Sequence, residues 1–212
     1  MATELRTDRA LELFELAART VAAAGYEWEK EWQRALTKQP FSEADFLREA
    51  AWVVLCSGFR EATVRSAFDY VSLCFCDWES AQDIVTSGNR CIETALSKFR
   101  SRPKLQAIMS IAETVDGVGF ADFKRQILAG PQQTLMGLPY IGPVTWAHLA
   151  KNLGLDIAKN DRHLARFAES CGFNDAQSLC EVIAVRTGEL VGVVDVILWR
   201  FAALDAGNRQ PA

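Results

Sequence analysis

The sequence has no long apolar run and no excess of positive charge. Its apolar stretches, such as 50–56 and 190–194, are far shorter than the ~20 residues that span a bilayer. The first residues do not have the pattern of a signal peptide. We therefore expect a soluble intracellular protein of the cytoplasm that has no membrane partner.

The cysteines also lack the spacing of a metal site. None of the six belongs to a C-x-x-C pair, and most lie within apolar segments of helical period, which favours buried free thiols. We expect no iron–sulfur cluster, no structural zinc and no other cofactor. The six are Cys56, Cys74, Cys76, Cys91, Cys171 and Cys180.

The formal net charge is −4, which argues against a protein that coats nucleic acid without specificity. It leaves room for one local basic face. The candidates for such a face are Lys98, Arg100, Arg102 and Lys104 in one cluster, and Lys151, Lys159, Arg162, His163 and Arg166 in another. Solvated charges at helix ends are the alternative explanation, and it stays open for each cluster.

Half of the residues are hydrophobic, and they recur at helical rather than alternating spacing, which predicts an all-α fold. Ser42 with Asp45 three residues later predicts a capping box at the start of a helix. That helix is expected to end at Ser57-Gly58.

A short helix, a turn and a second helix are predicted around residues 132–153. Gly137 is expected to end the first helix in a left-handed conformation, and Pro143 is expected at the first position of the second. The free N–H groups at that second helix start suit a phosphate. Gly154 ends the helix, and the next one starts at Asn160 or Asp161.

The stretches Leu138-Pro139-Tyr140-Ile141-Gly142-Pro143-Val144-Thr145-Trp146 and Asn160-Asp161-Arg162-His163-Leu164-Ala165-Arg166 resemble the helix-hairpin-helix (HhH-GPD) DNA glycosylase superfamily. The family hairpin reads roughly L-P-G-[VI]-G, and an aspartate follows after a helix and a short loop. Tyr140 replaces the first glycine and Trp146 an alanine, so the resemblance is to a divergent member of the superfamily, one without an iron–sulfur cluster.

The resemblance implies two helical lobes, one formed by 1–56 and 161–212 and the other by 57–160. It implies that the hairpin and Asp161 lie at the cleft between them. The implied partner is double-stranded DNA, bound by a monomer.

The implied activity is hydrolysis of the N-glycosidic bond of a base flipped out of the duplex, with Asp161 as the catalytic carboxylate. Asn160 is expected to cap the next helix, which would leave Asp161 free. Family members that also cut the backbone carry a lysine at the position of Val144, so this chain is expected to lack lyase activity. The implied DNA-binding residues are Lys104, Gly137, Tyr140, Gly142, Pro143, Val144, Thr145, Arg162 and His163.

The residue that fills the gap left by the flipped nucleotide comes from the loop after the third helix in this family. Phe59 and Arg60 stand there, and both can replace lost stacking. Phe59 as an anchor of the next helix is the alternative. Trp28 is a further candidate for the wedge or base pocket, although aromatic residues at its spacing more often pack within a core.

The base that is removed stays open: alkylated, oxidised, deaminated and hypermodified bases are all compatible, in base excision repair or in defence against phage with modified DNA. A non-catalytic DNA-binding protein that kept the hairpin is the alternative function. An all-α protein–protein adaptor without DNA affinity is the third.

Overall fold

The protein consists of α-helices joined by short loops. The computed structural model describes residues 2–208, with side chains from 4 to 204, and that range contains no strand. The prediction of an all-α fold is therefore confirmed. None of the helices in this range is long and apolar enough to cross a membrane.

The helices of the described residues are, in chain order, α1 Ala2–Ala23, α2 Glu27–Lys38, α3 Glu43–Cys56, α4 Glu61–Cys74, α5 Ala81–Ser87, α6 Asn89–Ala95, α7 Arg102–Val118, α8 Phe120–Ala129, α9 Pro131–Met136, α10 Thr145–Asn152, α11 Arg162–Cys171, α12 Ala176–Thr187 and α13 Val191–Asn208. A short 3-10 turn, Cys76–Trp78, lies before α5.

Contacts group these helices into two units. The first is Met1–Pro40 with Gly154–Ala212, and the second is Phe41–Leu153. The predicted central lobe began at residue 57, but α3 belongs to the second unit because it packs on α7 and α10. The two lobes that the resemblance implies stay a prediction.

The first unit is built on α13, which packs against α1, α2, α11 and α12. Apolar residues fill its core on every side of α13, because a helix surrounded by other helices has no face left for water. The core includes Phe14, Ala17, Leu164, Leu179, Ile183, Val194 and Leu198.

The second unit is built on α7, which packs against α3, α5, α6 and α8. Its largest fully buried side chains are Phe46, Leu55, Phe75, Ile84, Leu105, Ile111, Ile127, Leu135 and Leu149.

The predicted capping box starts α3: the Ser42 hydroxyl accepts the Asp45 N–H at 3.1 Å, and the Asp45 carboxylate accepts the Ser42 N–H at 2.8 Å. The helix ends at Cys56, with Ser57 as its C-cap, as predicted.

Gly154 follows Leu153, the C-cap residue of α10, and belongs to the first unit. Its φ is +84°, and a Cβ there would collide with the backbone carbonyl of Leu36 at the end of α2. Only glycine fits both the left-handed conformation and this close approach. The predicted stop after α10 is confirmed.

Candidate nucleic-acid-binding site

The hairpin turn, residues 137–142, connects α9 and α10. Gly137 has φ −71° and ψ −13°, so the prediction that it adopts a left-handed conformation is wrong. The backbone continues in a right-handed turn past Gly137, where the Leu138 N–H donates to the Leu135 carbonyl at 3.0 Å. Tyr140 is the left-handed residue of the turn, with φ +63°. The residue that replaces the first glycine of the family pattern therefore has the conformation that favours glycine.

Two backbone donors at the start of α10 have no acceptor within the described residues. The regular helix begins at Thr145, although the Trp146 N–H already donates to the Gly142 carbonyl at 3.1 Å and so places Pro143 in the first turn. The Gly142 N–H is used within the turn, since it donates to Thr145 Oγ1 at 2.7 Å. The N–H groups of Val144 and Thr145 have no acceptor among the residues described. They are the donors at this helix start that a phosphate can use.

Lys104 lies in the first turn of α7 and is buried, with 4% of its surface exposed. Its ammonium donates to the Val54 carbonyl at the end of α3. The Nζ atom also lies 4.7 Å from the ring centroid of Tyr140 and 5.5 Å from that of Phe59. Burial lowers the pKa of Lys104, and the neighbouring Cys56 acts in the opposite direction. The ammonium thus has partners within the protein, and its contact with phosphate stays a prediction.

The candidate wedge lies in the loop between α3 and α4. Phe59 is 43% exposed, and its ring centroid is 5.2 Å from that of Phe99. Arg60 is the exposed N-cap residue of α4. One face of the Phe59 ring is therefore held by the protein while a large part of the side chain stays accessible, which suits both a wedge and an anchor.

The other basic residues of the first cluster differ in how they are held. Arg102 makes two hydrogen bonds to the carboxylate of Glu93, each 2.8 Å long. Lys98 and Arg100 are exposed. Neither forms an ion pair with the side chains described from 4 to 204.

Asp161, in the first unit, is the N-cap residue of α11. Its Oδ1 accepts the backbone N–H groups of His163 at 2.8 Å and Leu164 at 3.1 Å. The expectation that Asn160 is the cap is wrong, because its side-chain oxygen accepts the Ala176 N–H at 3.1 Å instead. The Asp161 Oδ2 accepts no hydrogen bond within residues 2–208. The carboxylate is therefore fixed through one oxygen, and the other has no donor in the part of the chain that the structure describes.

Loop 155–161, which carries Asp161, is held to α12 and α13 by side-chain to backbone hydrogen bonds. They are Gly192 N–H to Asp156 Oδ1 at 2.9 Å, Ala158 N–H to Gln177 Oε1 at 2.7 Å, Lys159 N–H to Asp195 Oδ2 at 2.8 Å, and Ala176 N–H to Asn160 Oδ1 at 3.1 Å. Asp195 is 1% exposed. The loop has no regular structure of its own, so these bonds fix the position of Asp161.

The remaining predicted residues of the first unit lie on two helices. Arg162 and His163 occupy the first turn of α11, where the Arg162 Nε donates to the His163 Nε2 at 3.3 Å. Trp28 lies on α2 and is 61% exposed, so it is not the core residue that its spacing suggested. The neighbouring Trp32 is 47% exposed.

Two candidates for a displaced catalytic amine are engaged in the protein. The side chain of Lys151 is buried, with 9% of its surface exposed, and Lys159 is half-buried in a loop whose backbone is fixed by the bond from the Lys159 N–H to Asp195. Val144, at the family's lysine position, is 42% exposed. A side chain at residue 144 is therefore accessible where that of Lys151 is not.

One feature beside the hairpin turn was not anticipated. An open groove of about 790 Å³ is lined by residues of α9 and by Trp146 of α10. The α9 residues are Pro131, Gln132, Gln133 and Met136, and Gly130 and Gly137 flank them. The sequence signal was the pair of adjacent glutamines, Gln132 and Gln133, which interrupt the apolar pattern of α9. Met136 of the same helix is 37% exposed.

Comparison with models of known protein families gave no match, and comparison with curated protein sequences gave none either. The resemblance to helix-hairpin-helix DNA glycosylases accordingly depends on the residues of the hairpin turn and of the Asp161 segment.

Proposed function

We propose that the chain is a divergent helix-hairpin-helix DNA glycosylase that hydrolyses the N-glycosidic bond of a damaged or modified base extruded from duplex DNA. The observation that carries the proposal is the state of the Asp161 carboxylate. One oxygen is held by two backbone amides, and the other has no donor within the described residues. A fixed anion with an available oxygen is the group that this reaction needs.

Asp161 acts on the charge that develops during the reaction. The bond between the base and C1′ of the deoxyribose breaks, the base leaves with the bonding electrons, and positive charge remains on the sugar. A carboxylate fixed beforehand stabilises this charge and orients the attacking water. Water adds its hydroxide to C1′ and its proton neutralises the departing base, which leaves an abasic site in an intact strand.

The hairpin turn supplies the DNA contact. The N–H groups of Val144 and Thr145 lack acceptors in the described part of the chain, and the positive end of the α10 dipole adds to them. Phosphate oxygens accept from such helix starts. Arg162 and His163 add positive or polar groups beside Asp161.

The position of Val144 supports hydrolysis rather than lyase chemistry. A lyase needs an amine that attacks C1′ and forms a Schiff base. Valine has no amine, and Lys151 is buried. The proposed enzyme is therefore monofunctional.

A specific observation favours a second candidate, a non-catalytic DNA-binding protein. Asp161 caps α11, and a capping role alone is sufficient to explain an aspartate at this position. In that case the hairpin turn would bind DNA and no base would be released.

Asp161→Asn separates the two candidates, with Asp175→Asn as its matched control. Asp175 caps α12 in the same unit, and its Oδ1 accepts the Ser178 N–H at 2.7 Å. Asparagine caps helices about as well as aspartate, so both variants should keep their stability. We expect Asp161→Asn alone to lose base release, by about 10²–10³ in rate or more, with DNA binding kept.

The assay for base release measures abasic sites by strand breakage in hot alkali. Its substrates are genomic DNAs that carry different modifications, including phage DNA with hypermodified pyrimidines, so the active substrate also indicates repair or defence. Equal base release by wild type and Asp161→Asn would contradict the catalytic assignment. DNA binding without base release on any substrate would favour the second candidate.

DNA binding itself is tested at Gly142. A Cβ at Gly142 meets no atom within 4 Å, so Gly142→Glu adds a negative charge without a steric clash. We expect weaker duplex binding for every sequence, whereas Gly142→Gln should bind nearly as wild type does. Each phosphate contact contributes a slope of about −0.9 to log K against log salt. A flat salt dependence would contradict DNA as the ligand and favour the adaptor.

A further inference from the structure

Lys104 is in an unfavourable place for a lysine unless its ammonium has a structural task. It is 4% exposed, and a buried ammonium loses its hydration. It also lies in the first turn of α7, where the helix dipole disfavours a positive charge. Three partners, one carbonyl and two aromatic rings, compensate for these costs.

The carbonyl partner belongs to the end of another helix. Val54 lies in the last turn of α3, where carbonyls have no partner within the helix. The neighbouring carbonyls of Val53 and Cys56 accept the N–H groups of Ser57 and Phe59. The Val54 carbonyl accepts from the Lys104 ammonium. The ammonium therefore fixes the end of α3, from which the loop 57–60 that carries Phe59, the wedge loop, leaves.

The two ring partners belong to separate segments of the second unit. Phe59 lies in the wedge loop and Tyr140 in the hairpin turn, and the same Nζ atom lies 5.5 Å and 4.7 Å from their ring centroids. The exposed fractions of the two side chains are 43% and 45%. One buried cation thus holds two rings that each remain half accessible, and cation–π attraction is stronger where the cation is desolvated.

We propose that Lys104 is a positioning residue that couples the hairpin turn to the wedge loop, so that phosphate binding at Val144 and Thr145 and insertion of Phe59 into the duplex occur together. The role of the two segments rests on the proposed function, whereas the coupling between them rests on the contacts of Lys104. Movement of Tyr140 when the turn binds a phosphate changes the position of the ammonium and, with it, that of Phe59.

The test uses Lys104→Met, with Lys124→Met as the matched control. Methionine keeps the apolar stem and removes the ammonium. Lys124 lies in the same unit and has the same kind of partners: its Nζ donates to the Phe41 carbonyl at 2.5 Å and lies 4.5 Å and 5.9 Å from the rings of Phe41 and Phe120. Neither Phe41 nor Phe120 belongs to the hairpin turn or the wedge loop. The half-buried Lys124 therefore reports the loss of an ammonium with the same kinds of partner at another place in the unit.

The DNA arm measures binding by fluorescence anisotropy and base unstacking by 2-aminopurine fluorescence, in a duplex with a tetrahydrofuran abasic analogue opposite the fluorophore. We expect Lys104→Met still to bind duplex DNA, with a salt slope that changes by no more than the ~0.9 of one phosphate contact, but to retain at most about a fifth of the unstacking signal. Phe59→Ala should lose as much, and the double variant no more than Phe59→Ala alone, because residues in one chain of contacts are not additive. Lys124→Met should behave as wild type.

A second arm needs no DNA. The three tyrosines are replaced by 3-fluorotyrosine, and the ¹⁹F resonance of Tyr140 is assigned with Tyr140→Phe. Phe59→Ala should shift this resonance in the wild-type background and leave it unchanged in Lys104→Met. Melting curves establish that each variant is folded.

The outcomes distinguish the coupling from the proposed function. A Tyr140 resonance that responds to Phe59→Ala equally with and without Lys104 overturns the coupling, and so does full unstacking by folded Lys104→Met. If Lys124→Met also lost the unstacking signal, the effect of Lys104→Met would be explained by lower stability alone, and the proposal would be overturned. A resonance shift that depends on Lys104, together with no DNA binding by wild type, retains the coupling and rejects the DNA glycosylase.

Discussion

The buried carboxylate of Asp195 on α13 accepts the backbone N–H of Lys159 at 2.8 Å, two residues before Asp161. Asp195 is 1% exposed, and a buried N–H that loses its acceptor costs about 1–3 kcal/mol. This bond therefore stabilises the fold and also fixes the loop that carries the proposed catalytic carboxylate.

We expect Asp195→Ala to lower the free energy of unfolding by about 1–3 kcal/mol and to lower base release more than DNA binding. Asp195→Asn should lose less, because its amide oxygen can still accept the Lys159 N–H. Urea unfolding and the abasic-site assay measure the two effects. An Asp195→Ala variant as stable as wild type would show that loop 155–161 is held by its other bonds.

The sequence predicted features that depend on neighbouring residues and missed those that depend on distant ones. The capping box of Ser42 and Asp45 needs only residues three apart, and it was predicted correctly. The choice between Asn160 and Asp161 as the cap of α11 was predicted wrongly. Both residues are good caps, and the contact of Asn160 with Ala176 decides between them.

Lys104 shows the same limit more clearly. Its position in a basic stretch predicted a contact with phosphate, which stays a prediction, but gave no sign of its burial. Its partners Val54, Phe59 and Tyr140 come from segments far away in the chain. Burial of a lysine needs such partners, and one sequence does not reveal them. The local rule that a glycine adopts the left-handed conformation also failed at Gly137, because the left-handed residue of this turn is Tyr140, three residues later.

Tyr140 has a left-handed conformation, with φ +63°. At this position we therefore expect glycine to give a more stable protein than alanine, the reverse of the order found within a helix. Both Tyr140→Gly and Tyr140→Ala lose the ring contact with Lys104, so their difference isolates the backbone. We expect the glycine variant to be more stable by about 1 kcal/mol, because a Cβ is unfavourable in this conformation.

The control pair is Gln133→Gly and Gln133→Ala, within α9. Alanine should be the more stable there by a similar amount. Urea unfolding of the four variants measures both differences. A glycine variant at residue 140 that is no more stable than the alanine variant would contradict the conformation of the turn.

Glu49 on α3 should make stability depend on pH. Burial raises the pKa of Glu49, and the hydrogen bond from Asn152 on α10, 2.9 Å long, and the charge of Arg48 oppose this only in part. The folded carboxyl therefore holds its proton more tightly than the unfolded one. Its contribution to stability is complete below the unfolded pKa of about 4.3 and is lost as the pH rises through the raised folded pKa.

Glu49→Gln keeps an acceptor for Asn152 and removes the charge. We expect its urea midpoint to lie above that of wild type at pH 7 and to approach it below about pH 4. Asp45→Asn on the same helix should show the opposite sign, because the Ser42 hydroxyl and N–H lower the pKa of Asp45. Its loss of stability should be present at pH 7 and fade as the pH falls through that lowered pKa. Parallel pH profiles for the two variants would contradict the assignment.

Val144 provides the sharpest test of the mechanism, because it separates water from an amine as the nucleophile. Val144 is the residue before α10 and is 42% exposed. Val144→Lys therefore places an amine at the position where lyases of the helix-hairpin-helix family carry one. On a substrate that wild type depurinates or depyrimidinates, that amine should displace the base at C1′ and form a Schiff base, which borohydride reduces to a covalent protein–DNA adduct. Wild type and Val144→Met should give no adduct and leave the strand intact. Wild type itself could give an adduct that disappears in Lys151→Met or Lys159→Met. That result would reject the monofunctional mechanism, because a lysine elsewhere in the chain would then be the nucleophile. The role of Asp161 in stabilising the charge that develops as the base departs would still stand.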